Sequence, residues 1–191
     1  MIDAGACPRY AFGMKAALFP LFLFVACTAT LVAADKPVVV EVAGVKFTAP
    51  AQWASERPAS RMRAAQFKVP GPKDLKPASC VFFYFGPGGA GGAEANVKRW
   101  LGQFAPAPKV KSDVKSEKIG GVGVTHLIAR GTYLDGPPFG GAKIPRKDYA
   151  MRGVIIMAPR GAIFIKMTGP NTVVDGAEKA LTAMVQGALK K

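Results

Sequence analysis

Residues 79–85 read SCVFFYF, a continuous apolar and aromatic run with no polar alternation. A strand of this kind has no face to give to water, so it is expected to be a buried central strand. The rest of the chain must then supply neighbouring strands and covering helices. VVVEVAGVKFTAP (38–50) is β-rich, is broken at Ala43-Gly44 and ends at Pro50, which predicts a hairpin or a bent strand, with Trp53 in the short loop that follows. RMRAAQFKVPGP (61–72) reads as a strand stopped by Pro70-Gly71-Pro72. AEANVKRWLGQF (93–104) places Val97, Trp100, Leu101 and Phe104 on one helical face. APAPKVKSDVKSEK (105–118) begins as a linker and becomes a half-exposed strand, which Gly120-Gly121 turn into VGVTHLIARGTYL (122–134). After a Gly/Pro-rich loop at 135–145, DYAMRGVIIMA (148–158) and AIFIKMT (162–168) flank the hairpin signal Pro159-Arg160-Gly161. NTVVDGAEKALTAMVQGALKK (171–191) is an amphipathic helix with an apolar stripe of Val174, Ala177, Leu181, Met184, Val185 and Ala188. Its acids Asp175 and Glu178 lie near the start and Lys190 and Lys191 near the end, as the helix dipole favours. Hairpins outnumber βαβ units, so the predicted class is α+β, a mostly antiparallel sheet covered by helices, with a C-terminal amphipathic helix.

The N-terminal stretch sets the compartment. Residues 16–34, AALFPLFLFVACTATLVAA, carry no charge, with Lys15 before them and Asp35 after. A basic flank, an apolar stretch and a small-residue end at Val32-Ala33-Ala34 describe a secretory signal. Residues 1–34 are therefore read as a signal peptide and 35–191 as one domain. Residues 14–34 alone would make a complete signal, so Met14 is an alternative start. Two other readings stay open. FVAC (24–27) resembles a lipoprotein box that would put lipid on Cys27, although Phe24 stands where leucine is preferred, and the run is long enough to span a bilayer uncut, although Pro20 and Thr28 and Thr30 make it a poor span. All three readings place the domain outside the cytoplasm, in the periplasm or beyond.

The chemistry-bearing residues are few. Gly86, Gly88 and Gly91 spell G-x-G-x-x-G. A dinucleotide loop needs a parallel βαβ unit and an acidic residue some twenty positions on, at the end of an apolar strand. Here the acid at that distance, Asp113, sits in a polar lysine-rich segment, Pro87 occupies the tight turn, and no Lys-Ser/Thr follows. The loop is read as a strand-to-helix connector, and no cofactor is expected. His126 is the one histidine and shares a face with Val122, Val124 and Ile128, which points to a structural role. One histidine and scattered carboxylates offer no metal site and no catalytic set. Cys80 lies inside the apolar run and reads as a small buried hydrophobe.

Charge supplies the remaining signal. Against 12 Asp+Glu the chain has 26 Lys+Arg, a net +14, which favours anionic partners. The basic residues are spread along the chain, as on a solvated surface, and are densest over 109–118, where they could form an edge for an acidic partner. The candidate binding surface is Trp53, Gly88, Gly89, Lys109, Lys111, Lys115, Arg146 and Lys147, with any pocket expected where the Gly86–Gly92 loop, Trp53 and the 135–147 loop meet. Three functions follow. The favoured one is an exported, non-enzymatic domain binding a protein or an anionic envelope component. The alternatives are an exported hydrolase-like enzyme using His126 with Cys80 or a carboxylate, and a charge-driven binder of polyanions or nucleic acid without sequence specificity.

With these elements placed, GVKFTAPAQW (44–53) with its Phe-x-x-Pro-x-x-Trp spacing, RMRAAQF (61–67), NVKRWLGQF (96–104) and FIKMTGP (164–170) resemble the PsbP-like family, whose namesake is an extrinsic lumenal subunit of photosystem II and whose bacterial relatives are secreted. The resemblance implies an α/β/α sandwich with a central antiparallel sheet, an accessory or binding role, and no established catalytic residues. The surface and the 135–147 loop depart from the photosynthetic members, so no photosystem role and no ligand-binding residue carries over.

Overall fold

The computed structural model describes residues 37–137 and 140–190; the expected signal peptide, with Met14 and Cys27, lies outside them. The 38–50 segment is a hairpin, β1 (Val39–Val42) and β2 (Val45–Thr48), forming a two-stranded sheet of its own. Seven further strands form one sheet: β3 (Ala54–Glu56), β4 (Arg63–Val69), β5 (Ala78–Tyr84), β6 (Lys111–Ile119), β7 (Val122–Asp135), β8 (Ile144–Ala158) and β9 (Gly161–Pro170). Their spatial order is β3-β4-β5-β9-β8-β7-β6, and every pairing is antiparallel. The helices are α1 (Ala93–Leu101), α2 (Asn171–Gly176) and α3 (Glu178–Leu189).

The apolar run does take an interior position. β5 lies between β4 and β9, and Cys80, Val81 and Phe82 are buried. Each face of the sheet carries its own apolar cluster. On one face Phe67, Phe82, Val154, Ile165 and Met167 meet Phe47 of the hairpin and Val173, Val174, Leu181, Met184 and Val185 of α2 and α3. On the other, Leu127, Met151, Ile155 and Phe164 meet Trp100 of α1 and Phe104 just beyond it.

Several expectations are corrected by packing. The C-terminal helix is two helices, broken at Ala177, so that α2 faces β8 and β9 while α3 reaches the β1–β2 hairpin. The break buries Val173 and Leu189 and leaves Ala188 half-buried. Helix α1 ends at Leu101, and Phe104 reaches its cluster from an isolated bridge to Tyr133. The expected 135–145 loop is shorter, because β7 runs to Asp135 and β8 starts at Ile144; Arg146 and Lys147 therefore lie on a strand. The register shifts between Gly131 and Tyr133, opposite Asp148 at φ 56°, which marks a bulge. Strand β3, three exposed residues, carries no pattern of its own and exists through its pairing with β4.

Candidate functional site

Strand register decides which of the candidate residues meet. Val69 pairs with Ala78, Ser79 with Thr168, Tyr149 with Pro170, and Asp135 with Ile144. Trp53, next to the Ala54–Lys68 pair, and the connection between β7 and β8 therefore share one end of the sheet. Tyr84 pairs with Ile163, and Ala158 with Gly161, so the Gly86–Gly92 loop leaves from the opposite end. The expected three-part pocket is not formed. Gly88 and Gly89 lie about 20 Å away along the sheet, the length of a seven-residue strand, and β4, β5 and β9 separate Trp53 from β8. Trp53 is only 3% exposed and packs on Phe67, with ring centroids 6.3 Å apart. Its edge helps line a small cleft of about 190 Å³ with Pro70, Gly71, Pro72 and Thr172.

The glycine-rich loop is explained locally. Gly86, Gly88 and Gly91 have φ of 83°, 69° and 74°, the left-handed region that glycine enters without strain. The loop is tied to α1 by the buried Asn96, whose Nδ2 donates to the carbonyls of Ala90 and Gly92, both at 2.8 Å. Arg99 in turn donates to Asn96 Oδ1 at 2.8 Å. A parallel βαβ unit, which a dinucleotide site needs, is absent among the described strands, all of which pair antiparallel.

The Cys80–His126 pair is excluded by distance. Cys80 registers with Met167, Met167 with Arg152, and Arg152 with Ile128, so three strand steps separate β5 from β7, placing the two residues roughly 15 Å apart. Cys80 is fully buried, and burial pushes its thiol well above the usual range, which leaves it un-ionised and inert. His126 does share the face of Val124 and Ile128. Its Nε2 is 3.0 Å from Glu117 Oε1 on the neighbouring strand β6.

His126, Glu117 and Ile128 line an open cleft of about 380 Å³ between α3 and strands β6 to β8. Arg152 is its best-shielded charge, with its side chain 17% exposed and Nη2 at 2.5 Å from Glu178 Oε2 and 3.8 Å from Asp175 Oδ1. Arg130 Nη2 meets the same Asp175 oxygen at 2.6 Å. The pairs tie β7 and β8 to α2 and α3. Strand β6 is the outer strand, exposed from Lys111 to Ser116. Its unbroken register puts Lys111 and Lys115 on the same side as Asp113 and Glu117, so the densest basic stretch is charge-balanced on its cleft side. Lys109 and Lys147 are exposed, and Arg146 Nε pairs with Asp135 Oδ2 at 3.3 Å. Among the described residues no group of three or more His, Cys, Asp or Glu is placed to hold a metal ion.

A second polar cluster, not foreseen from the sequence, occupies the α1 face. Lys166 on β9 pairs across strands with Gly153 on β8. A Cβ at Gly153 would run into the Trp100 ring, so the glycine lets the indole lie on the sheet beside Lys166. Lys166 Nζ donates to Gln103 Oε1 at 3.0 Å, and the Tyr133 hydroxyl donates to the same oxygen at 3.2 Å. Gln103 is held by its own backbone, which donates to Trp100 O and accepts from Leu134 N. Burial lowers the Lys166 pKa to about 8, with the Arg63 charge acting in the same direction and Asp135 opposing. Burial likewise raises Tyr133 to about 12, with Asp135 adding and Arg63 opposing. Arg63 Nη1 donates to Gln66 Oε1 at 2.6 Å, and Gln66 passes a bond of 2.8 Å on to Glu56. Among the described residues, Lys166 and Arg63 each rest on a neutral amide, with no carboxylate within 4.0 Å.

No protein-family model matches the chain, and no curated protein matches it. Among the solved structures similar to it are two whose folds cover most of the chain. One is a Pseudomonas aeruginosa protein of unknown function, at 16% identity over 81% of this chain and 97% of that one, with a TM-score of 0.46. The other is the solution structure of a cyanobacterial PsbP from Synechocystis, at 11% identity over 81% of this chain and 92% of that one, with a TM-score of 0.49. The second carries the name of the family that the sequence motifs resemble.

Proposed function

We propose that this chain is an exported, non-enzymatic accessory domain that binds a protein partner along its outer strand β6. The observation that carries the reading is the strand itself: nine residues at the end of the sheet order, exposed from Lys111 to Ser116, with one hydrogen-bonding edge unpaired among the described strands. Such an edge accepts an extended segment of another chain as an added strand, with backbone bonds giving affinity and side chains giving selectivity. The alternation of Lys111, Asp113, Lys115 and Glu117 would select a partner strand of complementary charge order. The apolar run at 16–34 supports export, and the chain's net +14 favours an acidic partner surface.

The test is a photo-crosslinking residue at Val114, which is 46% exposed, in cells making the full chain. The expected result is one discrete adduct in the envelope fraction, lost on substituting Ser112, two residues before Val114, by proline, which blocks strand addition at that edge. Crosslinking that spreads over many proteins, or is unaffected by the proline, would count against the reading. The enzymatic alternative keeps one form, His126 with Glu117 in the cleft; a hydrolase activity lost in His126→Gln would favour it.

A further inference from the structure

We infer that the α1 face holds a binding site for a carboxylate, built from Lys166, Arg63, Tyr133 and Gln103, and independent of the β6 edge. The argument begins with charge. Lys166 and Arg63 stand two strands and two residues apart, about 12 Å between Cα atoms, through the pairs Arg63–Phe83, Phe83–Phe164 and Val81–Lys166. Long side chains from such positions converge on one ligand. The Arg63 charge raises the cost of the Lys166 charge, and each cation donates to an amide oxygen, with no carboxylate within 4.0 Å among the described residues. A desolvated lysine beside a second cation lacks a directly bonded carboxylate among the described residues, and an arriving anion supplies one.

The surroundings narrow the anion. Tyr133 keeps its proton far above neutral pH, so its hydroxyl is a permanent donor that can turn from Gln103 to a ligand oxygen. One ammonium, one guanidinium fork and one hydroxyl suit the two oxygens of a carboxylate. Asp135 lies within electrostatic reach and works against a second negative charge, which disfavours a phosphate dianion. The half-buried Phe83 borders the cluster and gives an apolar body something to rest on. Lys166, Arg63, Tyr133, Gln103 and Phe83 are all half-buried, shielded from bulk water yet open to a ligand. The carboxylate can belong to a free small acid or to the C-terminus of a peptide.

The experiment is competitive amine labelling of Lys166 on the full chain, read by mass spectrometry between pH 6 and 10, with and without phenylacetate, inorganic phosphate, or a short peptide ending in phenylalanine as the free acid or the amide. The expected result is that phenylacetate or the free-acid peptide slows Lys166 labelling at least threefold at pH 8 and moves its midpoint upward, while the amide does not. Protection by phenylacetate assigns a small acid, and protection by the peptide alone assigns a chain terminus. Arg63→Gln, at a position that leaves the core intact, should remove the protection without changing the labelling of other lysines. Unchanged Lys166 labelling with every carboxylate, stronger protection by phosphate than by phenylacetate, or protection that survives in Arg63→Gln would each overturn the site.

Discussion

The two faces of the sheet treat their cations in opposite ways. On the α2–α3 face, Arg130 and Arg152 reach Asp175 and Glu178, so the charges fasten strands to helices. On the α1 face, among the described residues, Lys166 and Arg63 reach Gln103 and Gln66. The first arrangement gives each arginine a carboxylate within the chain and serves the fold. The second leaves positive charge without a carboxylate in direct contact among the described residues, at some cost in stability, and such a cost is characteristic of sites that await a ligand.

The sharpest way to test the contrast in apolar support is Phe82→Ala. Phe82 is fully buried in the larger cluster, 5.2 Å from the Phe47 ring centroid and 6.0 Å from that of Phe67. Its truncation should cost about 3–5 kcal/mol in urea unfolding, more than Phe104→Ala at the rim of the smaller cluster; equal losses would mean that the faces are equally supported. Next comes a contrast of sign. Arg152→Met should destabilise by about 1 kcal/mol, a modest figure because Asp175 and Glu178 are well exposed and screened. Lys166→Met should be neutral or slightly stabilising, since it removes a desolvated charge without stranding a carboxylate. A loss larger for Lys166→Met than for Arg152→Met would break the comparison.

The contrast also has a pH dependence. The folded-state pKa of Lys166 is about 8, below its ordinary 10.5, so between those values the unfolded chain holds more protons and stability rises with pH. Tyr133 works the other way: its contribution is full below pH 10 and is lost as pH climbs toward about 12. Denaturant unfolding should therefore show stability increasing from pH 8 to pH 10, and Lys166→Met should flatten that rise. A wild-type curve that falls over this window would contradict the desolvated ammonium.

The strands were largely legible because their patterns are local. The apolar run at 79–85, the Pro159-Arg160-Gly161 turn and the break at Ala43-Gly44 each name their own structure. What sequence pattern does not carry is register. Trp53, Gly88 and the β7–β8 connection read as neighbours in a plausible pocket until strand pairing sends the glycines to the far end. The helix break at Ala177 follows from two packing partners, the sheet for α2 and the hairpin for α3, and not from any local breaker stronger than Gly176. The Lys166 cluster gathers residues 63, 103, 133 and 166 from four separate segments. Its one local signal is a lysine inside the otherwise apolar AIFIKMT, which identifies an anomaly but not its company.

The contact between β2 and α3 has a consequence for how the molecule comes into being. Phe47 of the early hairpin is sealed in the same cluster as Leu181, Met184 and Val185, more than 130 residues later. Contacts that distant slow folding and leave the earlier partner without cover while the chain is being made. The VKFT segment is thus left uncovered on any nascent or truncated chain that lacks α3, and such chains are prone to stick through it.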